Sequence, residues 1–270
     1  MSGGRSLVPA VTRAVAILEL LARTDAPLGV SAIARSLNLP KSSVANLCSA
    51  LVDDEMVRTV PGGYALGPKL ARLGAAYLAT VDHVGLFLEA CTARHVSVRE
   101  TAQLAQLGTG LDVVYLARRD GTEPVRLASA PGRALPATCT ATGKAMLATL
   151  DPAELAARLD AVSELPSLTK HSITSRRALG RELEVIRTEG VAYDRQEVIE
   201  GVVCVAVAMP TPAGEAPIAA SFTLLAPRAD EATLRRLADD LGDIAEHLAA
   251  GLGLGSPPGT ALGSTGSSAA

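Results

Sequence analysis

The side chains best suited to recognition chemistry are gathered in one 25-residue stretch, Ser31 to Glu55, which reads SAIARSLNLPKSSVANLCSALVDDE. Lys41, Ser42, Ser43 and Asn46 fall close together in it. A lysine ammonium pairs with phosphate, a serine hydroxyl donates and accepts at short reach, and an asparagine amide offers a donor and an acceptor side by side to one base edge. What these groups share is the ability to read a phosphate-lined duplex at close approach. Asp53 would repel phosphate, but it stands at the far end of the same run.

Such groups work only if something rigid presents them. Two apolar-periodic runs, Ile33/Ala34/Leu37 and Val44/Leu47/Cys48/Leu51, flank the breaker Asn38-Leu39-Pro40, which predicts helix, tight turn, helix. On the second helix Val44, Leu47, Cys48 and Leu51 share one face, while Ser42, Asn46, Ser49 and Asp53 take the other. Any small amphipathic helix pair shares this outline, and Ser42 could cap the second helix as readily as touch a phosphate; Ser31 is placed to cap the first. Next come two short β-prone runs, Val57 to Leu66 (VRTVPGGYAL), joined by Pro61-Gly62-Gly63, a hairpin whose first strand adds the cation Arg58. A helix over Pro9 to Arg23 precedes the set, with a buried stripe expected from Val11, Ala14/Val15, Leu18 and Leu21/Ala22. Helix, helix, hairpin is the order of a winged helix-turn-helix.

At this point the chain resembles the IclR family of bacterial transcriptional regulators. The segments VTRAVAILELLA, SAIARSLNLPKSSVANL and GGYALGPKLARLG match the family's DNA-binding domain in order and spacing. Each segment alone would be weak; the three linked are specific. Where this chain has Asn46 the family commonly carries an arginine, so an altered base preference is expected, since asparagine suits adenine more than guanine.

Length and charge fit a two-part molecule. The chain has 270 residues, enough for two cores, and a net charge of −3. Residues 1–80 hold eight Lys/Arg against five Asp/Glu, a net of +3, leaving 17 against 23, a net of −6, for the remainder. A mildly basic first domain and an acidic second suit DNA binding coupled to something else. Cys48, Cys91, Cys139 and Cys204 show neither CxxC spacing nor pairing with the four scattered histidines, so no metal site, disulfide framework or cofactor is expected, and reduced cytoplasmic thiols are. No signal-peptide core precedes Thr12, and no uncharged run approaches the ~20 apolar residues of a membrane span.

After the wing, Leu70, Leu73, Tyr77, Val81, Val84 and Leu88 recur at steps of three and four, predicting one helix over 68–90 whose seam pairs with a second copy. In the family the corresponding linker helps to form the dimer. Two recognition helices would then meet a pseudo-palindromic operator, with dimers of dimers also open. The texture then turns to strands and helices. A hairpin is expected over Thr101–Leu107 and Leu111–Arg118, and strands at Val125–Ala130, Val191–Arg195, Val202–Met209 and Ala216–Leu225. Helices are expected at Thr140–Leu150, Pro152–Leu159, Arg176–Glu189 and Glu231–Ala250. This is an antiparallel α+β domain over 91–252, between a winged-helix domain with its linker and a polar tail at 253–270; residues 1–8 read as a disordered lead.

Within the second domain, Gly132 to Lys144 (GRALPATCTATGK) is rich in small residues and runs into a helix, leaving amides and hydroxyls open at a helix N-terminus that favours an anion. A capped, tightly packed helix start is the plainer alternative. This segment, YDRQEVIEGVVCVAV (193–207) and AASFTL (219–224) resemble the family's effector domain, and the resemblance implies a GAF-like fold with a small-molecule pocket. It puts backbone amides at Ala141 and Thr142, an acid at Asp194, a thiol at Cys204 and strand hydroxyls at Ser221 and Thr223. Ser221 and Thr223 are two apart on a strand and so share a face. Asp194 accepts a carboxylate only if protonated or water-bridged, and otherwise suits a hydroxyl or amine. Cys204, set among valines and alanine, reads equally as an inert buried thiol. The family usually shows paired acids after the position of Asp194, whereas here Arg195-Gln196 intervenes before Glu197, and Thr142 stands where small apolar residues are common. The function expected is therefore a DNA-binding regulator, more readily a repressor, tuned by a small organic acid or related metabolite. A thiol enzyme using Cys139 or Cys204, and a ligand-blind DNA-binding protein, are the alternatives.

Overall fold

The structure, a computed structural model, describes residues 8–93, 99–122 and 129–254. The chain divides at Thr80/Val81 into two compact units.

The first unit carries α1 (Pro9–Ala22), α2 (Val30–Leu37), α3 (Lys41–Asp53), the strands β1 (Val57–Val60) and β2 (Gly63–Leu66), and α4 (Lys69–Leu78). Its core is Ile17, Leu21, Ile33, Ala34, Val44, Cys48 and Val57, one or two residues from each element that meets there. The turn between α2 and α3 depends on Asn38, left-handed at φ 51°. Asparagine tolerates that region at little steric cost. Pro40 follows in an extended conformation, and its carbonyl accepts the first amide bond of α3, from Val44. In the wing β1 and β2 pair antiparallel across Pro61-Gly62, so Gly63 belongs to the second strand rather than the turn. At φ 141° its missing side chain lets the wing close on Leu28, whose carbonyl would lie 2.4 Å from any Cβ built there. Leu28 then bridges to Tyr64.

Three local expectations change. Ser31 and Ser42 do not cap: Gly29 precedes α2 and Pro40 precedes α3, neither with a side-chain cap, and both serines lie inside their helices. The buried stripe of α1 is rotated. Ile17 and Leu21 go inward, whereas Val11 and Val15 stand 60% and 47% exposed. The single linker helix is two, α4 and α5 (Asp82–Ala93). Thr80 interrupts it: its hydroxyl and its amide both bond the Tyr77 carbonyl, which an α-helix would keep for residue 81. Val81 and Val84, expected on an intermolecular seam, pack instead against the core of the second unit. Leu73, Tyr77 and Leu88 remain exposed.

The second unit is built on a sheet of β3 (Thr101–Leu107), β4 (Asp112–Arg119), β5 (Ala134–Pro136), β6 (Ala192–Arg195), β7 (Val202–Met209) and β8 (Ile218–Leu225). The order is β5-β4-β3-β8-β7-β6, and every pair described is antiparallel. Alternate residues go to opposite faces. Leu104, Phe222, Val205 and their neighbours meet α5 and α9 (Glu231–Gly251), whereas Ala105, Ala206 and Ala219 meet α6 (Ala141–Thr149) and α8 (Arg176–Glu189). The helix α7 (Pro152–Asp160) is tied to the β3–β4 turn by Arg158, which donates to the carbonyls of Gly108 and Gly110. Small side chains on the second face let α6 sit low on the sheet. Gly143 is required there, because a Cβ would fall 2.2 Å from the Ala137 carbonyl oxygen. The strand expected at Val125–Ala130 lies outside the described residues up to 128; Ser129 and Ala130 are irregular, and among the described strands β5 stands at the edge beside β4. The lead and most of the tail, 1–7 and 255–270, also lie outside the described residues.

Candidate functional site

Two surfaces carry the residues singled out above. On α3, Val44 and Cys48 are fully buried against α1 and α2, and Leu47 and Leu51 are half-buried. That anchors the helix by one stripe and turns Lys41, Ser42, Asn46 and Ser49 outward, all exposed, with Ser43 half-buried at the edge. The polar face is thus convex, short-chained and free of large hydrophobic groups, the shape a helix needs to enter the major groove of B-form DNA. Arg58 is exposed on the wing, its Nε donating to the Leu66 carbonyl at 3.2 Å. This bond holds the guanidinium along the hairpin.

In the second unit one narrow cavity gathers Ala141, Thr142, Asp194, Cys204, Ser221 and Thr223. They come from α6 and three neighbouring strands, and the register explains why they meet. Asp194 lies opposite Cys204, and Cys204 opposite Thr223, making a row across β6, β7 and β8. Ser221 is one pleat along, opposite Gln103 of β3. A polar chain crosses this floor. Cys204 Sγ and Thr223 Oγ1 lie 3.2 Å apart, Thr223 donates to Gln103 Oε1 at 3.0 Å, and Gln103 Nε2 donates to the Ser129 carbonyl at 3.0 Å and to its hydroxyl. Tyr115, Leu135, Val198, Ile199 and Val202 supply the apolar walls. The first turn of α6 faces the floor. Thr140 caps it, its hydroxyl accepting from the Gly143 amide at 3.0 Å. The amides of Ala141 and Thr142 have no partner within the helix. Thr142 Oγ1 is buried beside the Tyr115 phenol without a well-formed hydrogen bond.

Behind the cavity lies a buried charge cluster. Lys144, 1% exposed, has its ammonium 2.5 Å from Glu197 and 3.3 Å from Glu182. The Glu197 amide donates to Asp194 Oδ1 at 2.6 Å, across a turn that depends on Gln196 at φ 68°. Burial is the main influence on Asp194 and raises its carboxyl to about 7; the Glu197 amide bond and Lys144 pull the other way, and the Glu197 charge adds to the rise. Burial likewise raises Glu197 above the carboxylate range, against the opposing pull of Lys144. One oxygen of Glu197, Oε2, is buried with no hydrogen bond.

Sequence reasoning missed Gln103, Tyr115, Ser129 and this ion cluster. One signal was available: Lys144 is the lone charge in the apolar run ATGKAMLATL, and a lysine committed to such a helix needs a buried acid. The thiol alternative has no chemical support. Burial raises the thiols of both Cys139 and Cys204, the reverse of what a nucleophile requires, and each has its nearest bonded neighbour in a hydroxyl or carbonyl.

The family model for the IclR helix-turn-helix domain matches residues 10–61, and that for the C-terminal domain of bacterial transcriptional regulator IclR matches residues 81–250. This chain belongs to the IclR family. It is similar to the HTH-type transcriptional regulator Rv1719 of Mycobacterium tuberculosis, 36% identical over 76% of each chain. To the HTH-type transcriptional regulator XynR of Escherichia coli it is 30% identical, over 92% of this chain and 98% of the relative. A crystal structure of an IclR homolog from Microbacterium hydrocarbonoxydans, complexed with 4-hydroxybenzoate, shares the fold at a TM-score of 0.70 and 24% identity, covering 89% of this chain and 99% of that one. As an IclR-family member the protein is a DNA-binding transcriptional regulator and not an enzyme. Among the described residues no helix is long and apolar enough to cross a membrane.

Proposed function

We propose that this IclR-family regulator is a repressor that binds a pseudo-palindromic operator as a homodimer, and that a small organic acid or related metabolite in the second unit alters its DNA affinity. The outward, short-chained polar face of α3 carries the reading. Lys41, Ser42 and Ser43 contact phosphates, Asn46 reads a base edge, and Arg58 on the wing meets the adjacent backbone. Exposed apolar side chains on α1 and α4, Val11, Val15, Leu73 and Tyr77, favour pairing with a second copy. Ala141 and Thr142 offer amides to the effector, Asp194, Ser221 and Thr223 its polar contacts, and Cys204 part of the floor. To act, the effector must favour one arrangement of the paired winged helices by ~1–3 kcal/mol, a usual coupling energy.

The test is a gel shift on the DNA upstream of the gene itself, with and without small acids that raise the protein's melting temperature. Asn46→Ala should relax preference at particular bases. A fall in affinity uniform across sequences would remove Asn46 as a base reader. Ser221→Val should abolish the acid response and leave DNA affinity intact; an unchanged response would take Ser221 out of the pocket.

A further inference from the structure

We infer that the pocket receives its effector's acid group as half of a carboxyl–carboxylate pair with Asp194, so that an anionic effector enters together with one proton. This rests on the effector reading above and deepens it, naming the ligand class as a monocarboxylic acid with a compact apolar body.

The charge balance of the site carries the inference. Among the described residues, no lysine or arginine lines the cavity; Asp194 is its one charged side chain, 2% exposed. The nearby cation, Lys144, is already committed on two sides to Glu197 and Glu182. Its charge is spent on acids behind the floor, and Glu197 still has an oxygen without a hydrogen bond. A second carboxylate entering this enclosure meets a like charge with no free counter-ion. Two carboxyl groups in one site share a proton rather than both ionise. The shared proton bonds the two oxygens, and the second ligand oxygen is left for the Ala141 and Thr142 amides and the Thr142 hydroxyl, which is buried without a hydrogen bond. The walls of Leu135, Val198, Ile199 and Tyr115 take the apolar body.

The groups facing Asp194 from each packed element agree with this balance. Cys204 on β7, Tyr115 on β4 and Cys139 before α6 are all held neutral, with burial raising each above its ordinary value, while Lys144 from α6 and Glu197 from the same turn form an ion pair. Asp194 itself, lifted to about 7 by burial, holds a mobile proton near neutrality.

The experiment uses full-length protein and a probe panel of acetate, benzoate and 4-hydroxybenzoate with the matching amides, followed by calorimetry from pH 5.5 to 8.5 in buffers of different ionisation heat. Affinity for the acids should be level up to about pH 6.5 and then fall about tenfold per pH unit, with one proton taken up per acid bound at pH 8. Amide binding should not follow that slope, and Asp194→Asn should flatten the acid profile. Equal acid affinity at pH 6 and 8.5, or a slope that survives Asp194→Asn, overturns the inference. Binding of amides without acids at any pH overturns it too and leaves the pocket standing. Failure of the whole panel at pH 5.5 overturns the acid-effector reading, and this inference falls with it.

Discussion

The two recognition surfaces of this protein are built in opposite ways. The α3 face draws its polar residues from nine consecutive positions, Lys41 to Ser49, and shows them to solvent, whereas the pocket takes one or two residues from each of several elements spread from Gln103 to Thr223 and buries them. A convex reader needs one anchored stripe and tolerates change on its outer side. A concave, buried site is less tolerant, because each polar group left without a partner costs free energy in the low-dielectric interior. Substitutions should therefore separate cleanly: in α3 they change binding and spare the fold, and around the pocket they change stability as well.

The largest separation should come from the two lysines. Lys144→Met leaves Glu197 buried and unpaired, and breaking a buried pair costs about 3–5 kcal/mol, read as a shifted midpoint in urea unfolding. Lys41→Met, on the exposed face, should move the midpoint by no more than ~0.5 kcal/mol. Similar losses from both would break the comparison.

Asp194→Asn should stabilise the ligand-free protein at pH 8. The folded-state value, about 7, is above the ordinary 3.8, so between those values the folded state binds more protons than the unfolded one. Stability present at low pH is then lost as pH rises through that window, by on the order of a few kcal/mol. The variant lacks that loss, so its advantage in melting temperature should shrink steadily from pH 8 towards pH 5. A constant difference across this range would mean that Asp194 titrates as it does in the unfolded chain.

Gly143→Ala should cost roughly 1–3 kcal/mol, because the new methyl meets backbone at Ala137 that cannot swing aside. The matching change on the open face, Ser49→Ala, should stay within about 0.5 kcal/mol. The finest test concerns binding alone: Lys41→Ala should lower the slope of log affinity against log salt by about 1, as expected for one lost phosphate contact. An unchanged slope would place Lys41 outside the interface.

Much of the winged-helix unit was legible because its signals are local. The α3 faces follow from helical period alone, and Pro61-Gly62-Gly63 marks the wing turn. Failures there were local too. Ser31 and Ser42 looked like caps because serine usually is one, but Gly29 and Pro40 had already set the helix starts, which left both hydroxyls to point elsewhere. The linker break at Thr80 carried no glycine or proline to announce it; a side chain bonding its own helix and the pull of the second core on Val81 and Val84 produced it. In the pocket, the resemblance to a family named six positions that the structure brings to one cavity, but Gln103, Tyr115 and Ser129 were invisible to it. Gln103 and Tyr115 matter through the pairing of β3 with β8 and β4, about 120 residues apart in the first case, and Ser129 through its bond to Gln103; no short-range pattern encodes that register.

What the amino-acid order settled unaided was most of the helices and strands and the polar side of α3, since these depend on periodicities of two and 3.6 residues that can be counted along the chain; the linker break and the short edge strand β5 it did not show. What required the folded molecule was the electrostatics of the second unit. Whether Asp194 keeps its proton and where Lys144 spends its charge depend on distance and on exclusion of water, and those are properties of residues far apart in sequence that strand pairing brings within a few ångströms.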